Sequence, residues 1–348
     1  MPLPSIDTAY VIEFLVRLLN TPSPTGLTEK AIALTEEALA EFPELKITRN
    51  RKGALLVEWP GEEETTPRGL TAHADTLGAM VKEIKSNGRL KLTQIGGYAW
   101  NTIEGEGVSV FASNGKTVRG TVLLSMASSH VYGRQVAEAK RDEDNIEVRL
   151  DARTSSADET RALGIEVGDF VAFDPRVEQT EGFIRSRHLD DKACVASIVG
   201  AVKAMHDAGI APKQRTHLLI SNYEEVGHGA SAGFPPDLAE LVAVDMAAVG
   251  SGQASDEFHA TLCVKDSGGP YHYELGQKLR QIAEEHAIPY KVDIYPYYGS
   301  DGEAYWRAGG DVAVVLIGPG VDASHNYERT HTEAVIATTK WILAYLLS

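Results

Sequence analysis

Short apolar runs that alternate with helical segments are the feature that most constrains the fold of this chain. Leu241–Val244 and Val312–Ile317 are wholly apolar, and each is followed by a segment whose apolar residues recur at helical spacing. Strands of this kind are buried on both faces, which occurs when helices cover both sides of a mainly parallel sheet. The sequence therefore predicts an α/β domain with a mainly parallel, doubly wound sheet.

The middle of the chain has a different pattern. Its segments are short, alternate as strands do and contain many glycines, and Asn114-Gly115 is typical of a hairpin turn. We therefore expect a small all-β domain, such as a barrel, inserted into the α/β domain. The predicted boundaries give residues 1–78 and 179–348 to the α/β domain and residues 79–178 to the insert.

Composition narrows the class of function. The 348 residues are 43% apolar and 24% charged, as in folded globular proteins. The formal net charge of −16 disfavours nucleic acid and anionic membranes as partners, because both select basic surfaces. We expect no secretory signal at the N-terminus, and no apolar run approaches the ~20 residues that a membrane span needs. A cytoplasmic protein is therefore expected.

Residues of the types that bind metals follow several predicted strands. In open α/β sheets, binding sites lie just beyond the carboxyl ends of the strands. Each candidate also has a structural explanation, such as a local hydrogen-bond pair, a helix N-cap or a solvated turn. In chain order the candidates are His73 with Asp75, Asp190 with Asp191, Glu224 with Glu225, Asp245, and His331.

A metal site explains the set as a whole. Two histidines and three or more carboxylates suit two divalent cations about 3.5–4 Å apart. Ligation by nitrogen and oxygen without cysteine fits catalytic zinc, with cobalt or manganese as alternatives. His325 lies six residues before His331 and is a rival for the last ligand position.

Two pairs of neighbouring residues can divide their roles. His73 could bind a metal through one ring nitrogen while Asp75 accepts the proton on the other. Glu224 and Glu225 end a buried strand, where successive side chains point opposite ways. One glutamate could therefore bind a metal while the other faces a substrate.

The ordered motifs resemble those of a known family of metallopeptidases. The sequence is similar over nearly its whole length to the tetrahedral aminopeptidases, a glutamyl- and leucyl-aminopeptidase-like family of di-zinc enzymes. The middle segment also resembles the inserted β domain of that family. The matching motifs are Ala72–Gly78, Leu189–Lys192, Glu224–Gly227, Val244–Met246, Gly299–Gly302 and the terminal His331.

The resemblance implies a set of metal ligands. His73 and Asp245 would bind one metal each, and Asp190 would bridge the pair. Glu225 and His331 would complete the coordination. The cofactors would thus be two divalent metal ions per subunit.

The resemblance also implies catalytic roles and partners. Glu224 would be the general base that takes a proton from the metal-bridging water and passes it to the leaving amine, and Asp75 would assist through His73. Asp191 would follow its neighbour across a cis peptide bond. The substrates would be short peptides with a free α-amine. The protein would be a homo-oligomer, from a dimer up to a dodecamer.

Two features depart from the family pattern. Lys192 stands where the family usually has arginine, and the spacing from arginine to His331 is one residue shorter than usual. These departures keep His325 open as the last ligand and leave the preferred N-terminal residue open. Ser300–Gly302 would lie near the substrate pocket, although Asp301 could equally be a helix N-cap.

Other classes of function compete with this one. A di-metal carboxypeptidase or N-acyl amino acid deacylase of the same architecture would use nearly the same ligands, but such relatives usually insert an α/β lid domain. A non-catalytic binding protein would have lost a ligand or the general base, and here every position is filled. A glycosidase would explain the paired carboxylates, but its chemistry does not require the two histidines that this chain has at strand ends. The sequence therefore predicts a metal-dependent aminopeptidase.

Overall fold

The computed structural model describes residues 2–348, and these divide into two compact units. The first unit comprises the chain up to Asp75 and from Arg176 onward, and the second is Thr76–Pro175. The predicted boundaries fall three residues later at both junctions.

The described residues form twelve strands in the first unit and six in the second. In chain order the strands are β1 (Lys46–Arg49), β2 (Leu55–Trp59), β3 (Glu63–His73), β4 (Gly78–Ile84), β5 (Leu90–Ile95), β6 (Gly107–Phe111), β7 (Thr117–Leu124), β8 (Ile146–Leu150), β9 (Phe170–Phe173), β10 (Glu178–Thr180), β11 (Phe183–Ser186), β12 (Gln214–Ser221), β13 (Glu240–Val244), β14 (Ala247–Val249), β15 (Ala260–Lys265), β16 (Tyr290–Ile294), β17 (Ala313–Asp322) and β18 (Glu328–His331).

Helices connect most of these strands. They are α1 (Thr8–Leu19), α2 (Glu29–Leu39), α3 (Ser129–Tyr132), α4 (Gln135–Glu138), α5 (Ala157–Ala162), α6 (Leu189–Ala208), α7 (Tyr273–Glu285), α8 (Asp301–Arg307) and α9 (Thr332–Leu346). Short 3₁₀ turns occur at Trp100–Thr102, Glu224–Val226 and Gly229–Ser231. Over the part of the chain that the structure describes, no helix combines the length and the apolar character needed to cross a membrane.

The sheet of the first unit is parallel at its centre and antiparallel at its flanks. Its order is β1-β2-β12-β3-β13-β17-β18-β11-β10, with β14 and β15 also paired to β17 and β16 paired to β15. The neighbours β12, β3, β13 and β17 run parallel. On either side of this centre, β2 and β18 pair antiparallel with β12 and β17. The predicted α/β class with an inserted all-β domain is confirmed.

The central strands pack into different cores on their two faces. Val242 and Val244 of β13 belong to the core that contains residues of α1, α6 and α9, whereas Leu241 and Ala243 belong to a core that contacts Tyr305 of α8. Successive side chains of a strand point to opposite faces. Helices therefore cover both sides of the sheet, which explains why these strands are apolar throughout.

The second unit is a closed barrel of six antiparallel strands in the order β4-β5-β8-β7-β6-β9. Alternate residues such as Val108 and Val110 fill its interior. The hairpin predicted at Asn114-Gly115 joins β6 to β7, and Gly115 has a φ of 83°, a conformation that glycine adopts without steric cost.

Candidate metal centre and active site

The carboxyl ends of parallel strands meet at one edge of the sheet. His73 ends β3 and is in register with Ser221, the last residue of β12. Asp245 directly follows β13, and the 3₁₀ turn that contains Glu224 and Glu225 follows β12. The strand topology thus brings four of the predicted site residues to the same edge, as expected for an open α/β sheet.

Two further segments reach this edge from the flank of the sheet. Asp190 and Asp191 open α6, and the peptide bond between them is cis. His325 lies in the turn between β17 and β18. Both aspartates are buried, whereas His325 keeps part of its side chain in solvent.

The Asp190 carboxylate lies between two imidazoles. Its Oδ1 is 3.1 Å from His73 Nε2, and its Oδ2 is 3.4 Å from His325 Nε2. His325 Nε2 is also 3.6 Å from Glu225 Oε2. Ligand atoms of His73, Asp190 and Asp245 all lie within 4.8 Å of one another. This spacing allows three side chains to contact a single ion.

The structure does not bring His331 into the cluster. Its Nδ1 accepts the N–H of Glu333 at 3.2 Å, so it caps the start of α9, and its Nε2 is 3.2 Å from the carbonyl oxygen of Glu181. Its ring packs edge-on against Phe183 at 4.9 Å between centroids. We therefore replace His331 with His325 in the candidate ligand set.

Asp75 orients the site through contacts that differ from the expected one. His73 Nδ1 is 3.0 Å from the backbone oxygen of Asp75 and 3.7 Å from its carboxylate. The carboxylate instead accepts the N–H groups of Glu224 at 3.1 Å and Glu225 at 3.3 Å, and the hydroxyl of Thr25 at 2.6 Å. Asp75 thus fixes both His73 and the turn that contains the two glutamates.

Asp301 anchors the loop that follows the turn of the two glutamates, at Ala230. Its Oδ1 accepts the N–H of Ala230 at 2.7 Å, and its Oδ2 accepts the hydroxyls of Thr71 at 3.2 Å and of Ser221. Asp301 is the first residue of α8 and is buried, but its side chain bonds to these neighbouring elements. Asp301 therefore supports the loop. It is not the N-cap of α8, which is Ser300.

Glu328 is a buried residue that the sequence analysis missed. Its two carboxylate oxygens accept the N–H of Asp190 at 3.1 Å and the N–H of His325 at 3.0 Å. Burial raises the pKa of Glu328 to about 8, and the charge of Asp190 adds to this effect. Glu328 ties together the backbones of two candidate ligands. In the sequence, the only indication of this role is that Glu328 lies between the two rival histidines, His325 and His331.

Burial also changes the protonation of the clustered acids. Desolvation raises the pKa of Glu224 well above its usual value. Desolvation and the charge of Asp190 raise the pKa of Glu225 to about 8 and that of Asp245 to about 7. For Asp190, burial acts in the same direction, but hydrogen bonds to the two imidazoles outweigh it and hold its pKa below the usual range. A cation would favour the charged forms of all these groups.

The donor set fits a divalent cation. Oδ1 of Asp245 is buried and has no hydrogen-bond partner within the described residues, although buried polar atoms are almost always paired. Asp245 belongs to the same group of three candidate ligands as His73 and Asp190. Imidazole and carboxylate donors without thiolate suit zinc, cobalt or manganese.

A cavity of about 400 Å³ opens onto these groups. It is wide enough for a small organic ligand. The residues that line it are Asp190, Glu224, Glu225, Gly227, Asp245, Met246, Tyr297, Tyr298, Gly299, Ser324 and His325.

Comparison with known proteins assigns the chain to a family. The sequence model of the M42 glutamyl aminopeptidase family matches residues 53–341. The chain belongs to this family. It is 48% identical to a protein described as "Putative aminopeptidase YhfE" from Bacillus subtilis (strain 168), over 97% of each chain. The predicted family and the predicted class of enzyme, a hydrolase with aminopeptidase activity, are confirmed.

Solved structures of other peptidases share the fold. The aminopeptidase APDkam598 from the archaeon Desulfurococcus kamchatkensis has a TM-score of 0.86 at 21% identity and covers 97% of this chain and 95% of its own. The Pyrococcus horikoshii TET1 peptidase, which can assemble into a tetrahedron or a large octahedral shell, has a TM-score of 0.81 at 22% identity and covers 97% and 99%.

Proposed function

We propose that this M42 protein is a two-metal aminopeptidase that removes the N-terminal residue of short peptides. The observation that carries the proposal is the Asp190 carboxylate between His73 and His325. His73 and Asp245 would hold one cation, and His325 and Glu225 would hold the other, with one oxygen of Asp190 directed to each. Zinc is the proposed metal, with cobalt or manganese as alternatives.

The bound cations would lower the pKa of a water molecule toward neutrality and polarise the scissile carbonyl. Glu224 is the proposed general base. Its carboxylate lines the cavity, and its Oε2 is 3.6 Å from His73 Nε2. In this role it would accept a proton from the attacking water and return it to the leaving amine.

Asp75 and Asp301 would hold Glu224 in position without contacting the substrate. Asp75 accepts the N–H of Glu224 itself, and Asp301 accepts the N–H of Ala230 six residues later. A base whose loop is fixed at both ends needs little reorganisation during the reaction, which is the condition for an efficient proton transfer. This arrangement supports the assignment of the turn to catalysis.

Selection of a free N-terminus would come from the same carboxylates. The protonated α-amine of a peptide is a cation, and the cavity that would receive it contains the acids Glu224, Glu225 and Asp245. An N-acetylated peptide lacks that charge and would lose its attraction to these carboxylates. We also propose a homo-oligomer, because the similar TET1 peptidase assembles into shells, and enclosure would restrict access to short peptides.

Unblocked and N-acetylated aminoacyl p-nitroanilides test this proposal. The zinc- or cobalt-loaded protein should hydrolyse the unblocked compounds, and treatment with EDTA should abolish that activity. Activity on N-acetyl amino acids in place of the unblocked anilides would support the rival deacylase and would refute the aminopeptidase assignment.

A further inference from the structure

Lys52 contacts both ends of the turn that contains Glu224 and Glu225. It lies between β1 and β2, at the tip of a hairpin that is remote from the glutamates in sequence. Its backbone oxygen accepts the side-chain amide of Asn222 at 2.7 Å, and its Nζ donates to the backbone oxygen of Gly229 at 2.9 Å. A single residue of the hairpin therefore spans the segment in which the proposed general base lies.

The ammonium group of Lys52 has further acceptors in the same loop. Its Nζ also donates to the backbone oxygen of His228, and it lies 3.3 Å from the hydroxyl oxygen of Ser231. A lysine ammonium has three protons to donate, so this loop alone satisfies it. Hydrogen bonds from a charged donor are roughly twice as strong as those between neutral groups. Lys52 thus contributes strongly to the position of the loop.

The peptide group that joins Gly229 to Ala230 lies between an ammonium group and a carboxyl group. Its oxygen accepts the Lys52 ammonium, and its N–H donates to Oδ1 of Asp301 at 2.7 Å. A peptide group is negative at its oxygen and positive at its N–H. Both side chains therefore interact favourably with the same peptide group, from its two ends.

Tyr223, which directly precedes Glu224, has a backbone conformation that needs such support. Its φ is 68°, and residues other than glycine keep a positive φ only where the surrounding structure imposes it. Its ring stacks on that of His228 at 5.2 Å between centroids, and Lys52 Nζ is 5.7 Å from the ring centroid of Tyr223. This last distance is within the range of a cation–π interaction. Lys52 thus contacts the start of the turn through both its backbone and its side chain.

We infer that Lys52 is a positioning residue for the proposed general base, and that it acts together with Asp301 through the peptide between Gly229 and Ala230. This inference rests on the proposed aminopeptidase function. Lys52 is not among the described residues that line the cavity, so its effect on Glu224 is indirect. Without the ammonium group, the loop would lose its attachment to the hairpin, and Glu224 would be less well placed for proton transfer.

Lys52→Met tests the inference, with Arg51→Met as the matched control. Methionine removes the ammonium group but keeps an unbranched side chain, and Arg51 is an exposed cation in the same hairpin turn. In the zinc-loaded protein, Lys52→Met should lower kcat for leucyl p-nitroanilide about 10-fold, with KM and metal content unchanged. The control should keep the wild-type kcat. A wild-type kcat in Lys52→Met, or an equal loss in both variants, would overturn the inference alone. A wild-type protein that hydrolyses no unblocked anilide would refute the proposed function.

A double variant tests the shared route through the peptide. Lys52→Met and Asp301→Asn are each expected to lower kcat about 10-fold, so independent effects would multiply to about 100-fold. If both residues act through one peptide group, the loss in the double variant should be at least about threefold smaller than the product of the two single losses. A loss equal to that product would overturn the shared route.

Amide hydrogen exchange tests the role of Lys52 without any measurement of activity. Lys52→Met should speed exchange in peptides that cover residues 223–231, because the loop opens more often when one of its attachments is lost. Exchange in β7 of the barrel should stay at the wild-type rate, and so should the whole pattern of Arg51→Met. Wild-type exchange at residues 223–231 in Lys52→Met would overturn the inference, whichever substrates the protein hydrolyses.

Discussion

The N–H of Glu224 donates a hydrogen bond of 3.1 Å to Oδ1 of Asp75. The backbone oxygen of the same aspartate is 3.0 Å from Nδ1 of His73. One residue therefore orients both a proposed metal ligand and the proposed general base. Ligand-orienting contacts of this kind tune metal sites as well as support them.

Asp75→Asn should weaken both functions that this residue supports. The asparagine side chain keeps the volume but turns an N–H group toward the amides of Glu224 or Glu225 or toward Thr25. We expect metal affinity and kcat each to fall about 10- to 100-fold, measured by metal titration and by steady-state hydrolysis. Glu62→Gln, at an exposed acid of the surface, is the control. Wild-type metal affinity in Asp75→Asn would contradict the role given to Asp75.

Alanine substitutions distinguish the two rival histidines. His325→Ala should lower the metal content from two ions toward one per subunit, because it removes the proposed ligand beside Asp190 and Glu225. His331→Ala should keep both ions but reduce the free energy of unfolding by about 1 kcal/mol through loss of the helix cap. Metal analysis after dialysis and thermal melting measure the two effects. The reverse pattern would restore His331 as the ligand.

Asp301→Asn should slow catalysis without releasing metal. Asp301 contacts the Ala230 amide and the hydroxyls of Thr71 and Ser221, and none of the proposed ligands. Loosening the loop should displace Glu224 and lower kcat about 10-fold, since a small misplacement of a catalytic group costs up to about 100-fold. Metal content is the internal control, and an unchanged kcat would remove Asp301 from the support of the base.

Glu303 should make the stability of the protein depend on pH. Burial, with a hydrogen bond to Asp266 and the charge of Asp266, raises the pKa of Glu303 to about 7, although Arg307 opposes this. A carboxyl whose pKa is higher in the folded protein binds more protons there than in the unfolded chain. Its contribution to stability is complete below pH ~4 and is lost as pH rises through about 7.

The melting temperature of the metal-loaded protein should therefore fall between pH 6 and pH 8. Glu303→Gln should show a decline smaller by about 1–2 °C, because glutamine does not ionise. The metals are kept bound so that the clustered acids of the site contribute little to the change in melting temperature over this pH range. Equal declines in the two proteins would show that Glu303 ionises normally.

The α/β pattern could be predicted from local periodicity, and most residues of the candidate site could be placed because they follow the predicted strands. Apolar strands such as β13 show their burial on both faces, and Asp245 follows that strand directly. The antiparallel flanks of the sheet could not be predicted in this way. Pairs such as β11 with β18 join segments nearly 150 residues apart, and periodicity carries no information about partners.

The choice between His325 and His331 as the last candidate ligand depends on a local conformation that the sequence does not reveal. His325 and Ala323 both have positive φ values, of 63° and 58°, in a turn without glycine. Residues other than glycine rarely adopt this conformation, and it accompanies the approach of the His325 side chain to Asp190. The contacts of Asp75 likewise depend on side-chain rotamers. The sequence therefore indicates which strand ends contribute to the candidate site, but it leaves open the details that single turns determine.

Glu224→Gln tests the central claim of a metal-dependent aminopeptidase most directly. Glutamine preserves the shape of the side chain but cannot accept a proton. Hydrolysis of an unblocked leucyl p-nitroanilide should fall about 100- to 10,000-fold in kcat, while metal content stays at the wild-type level. Activity close to wild type in the metal-loaded variant would contradict the assignment of Glu224 as the general base and the mechanism built on it.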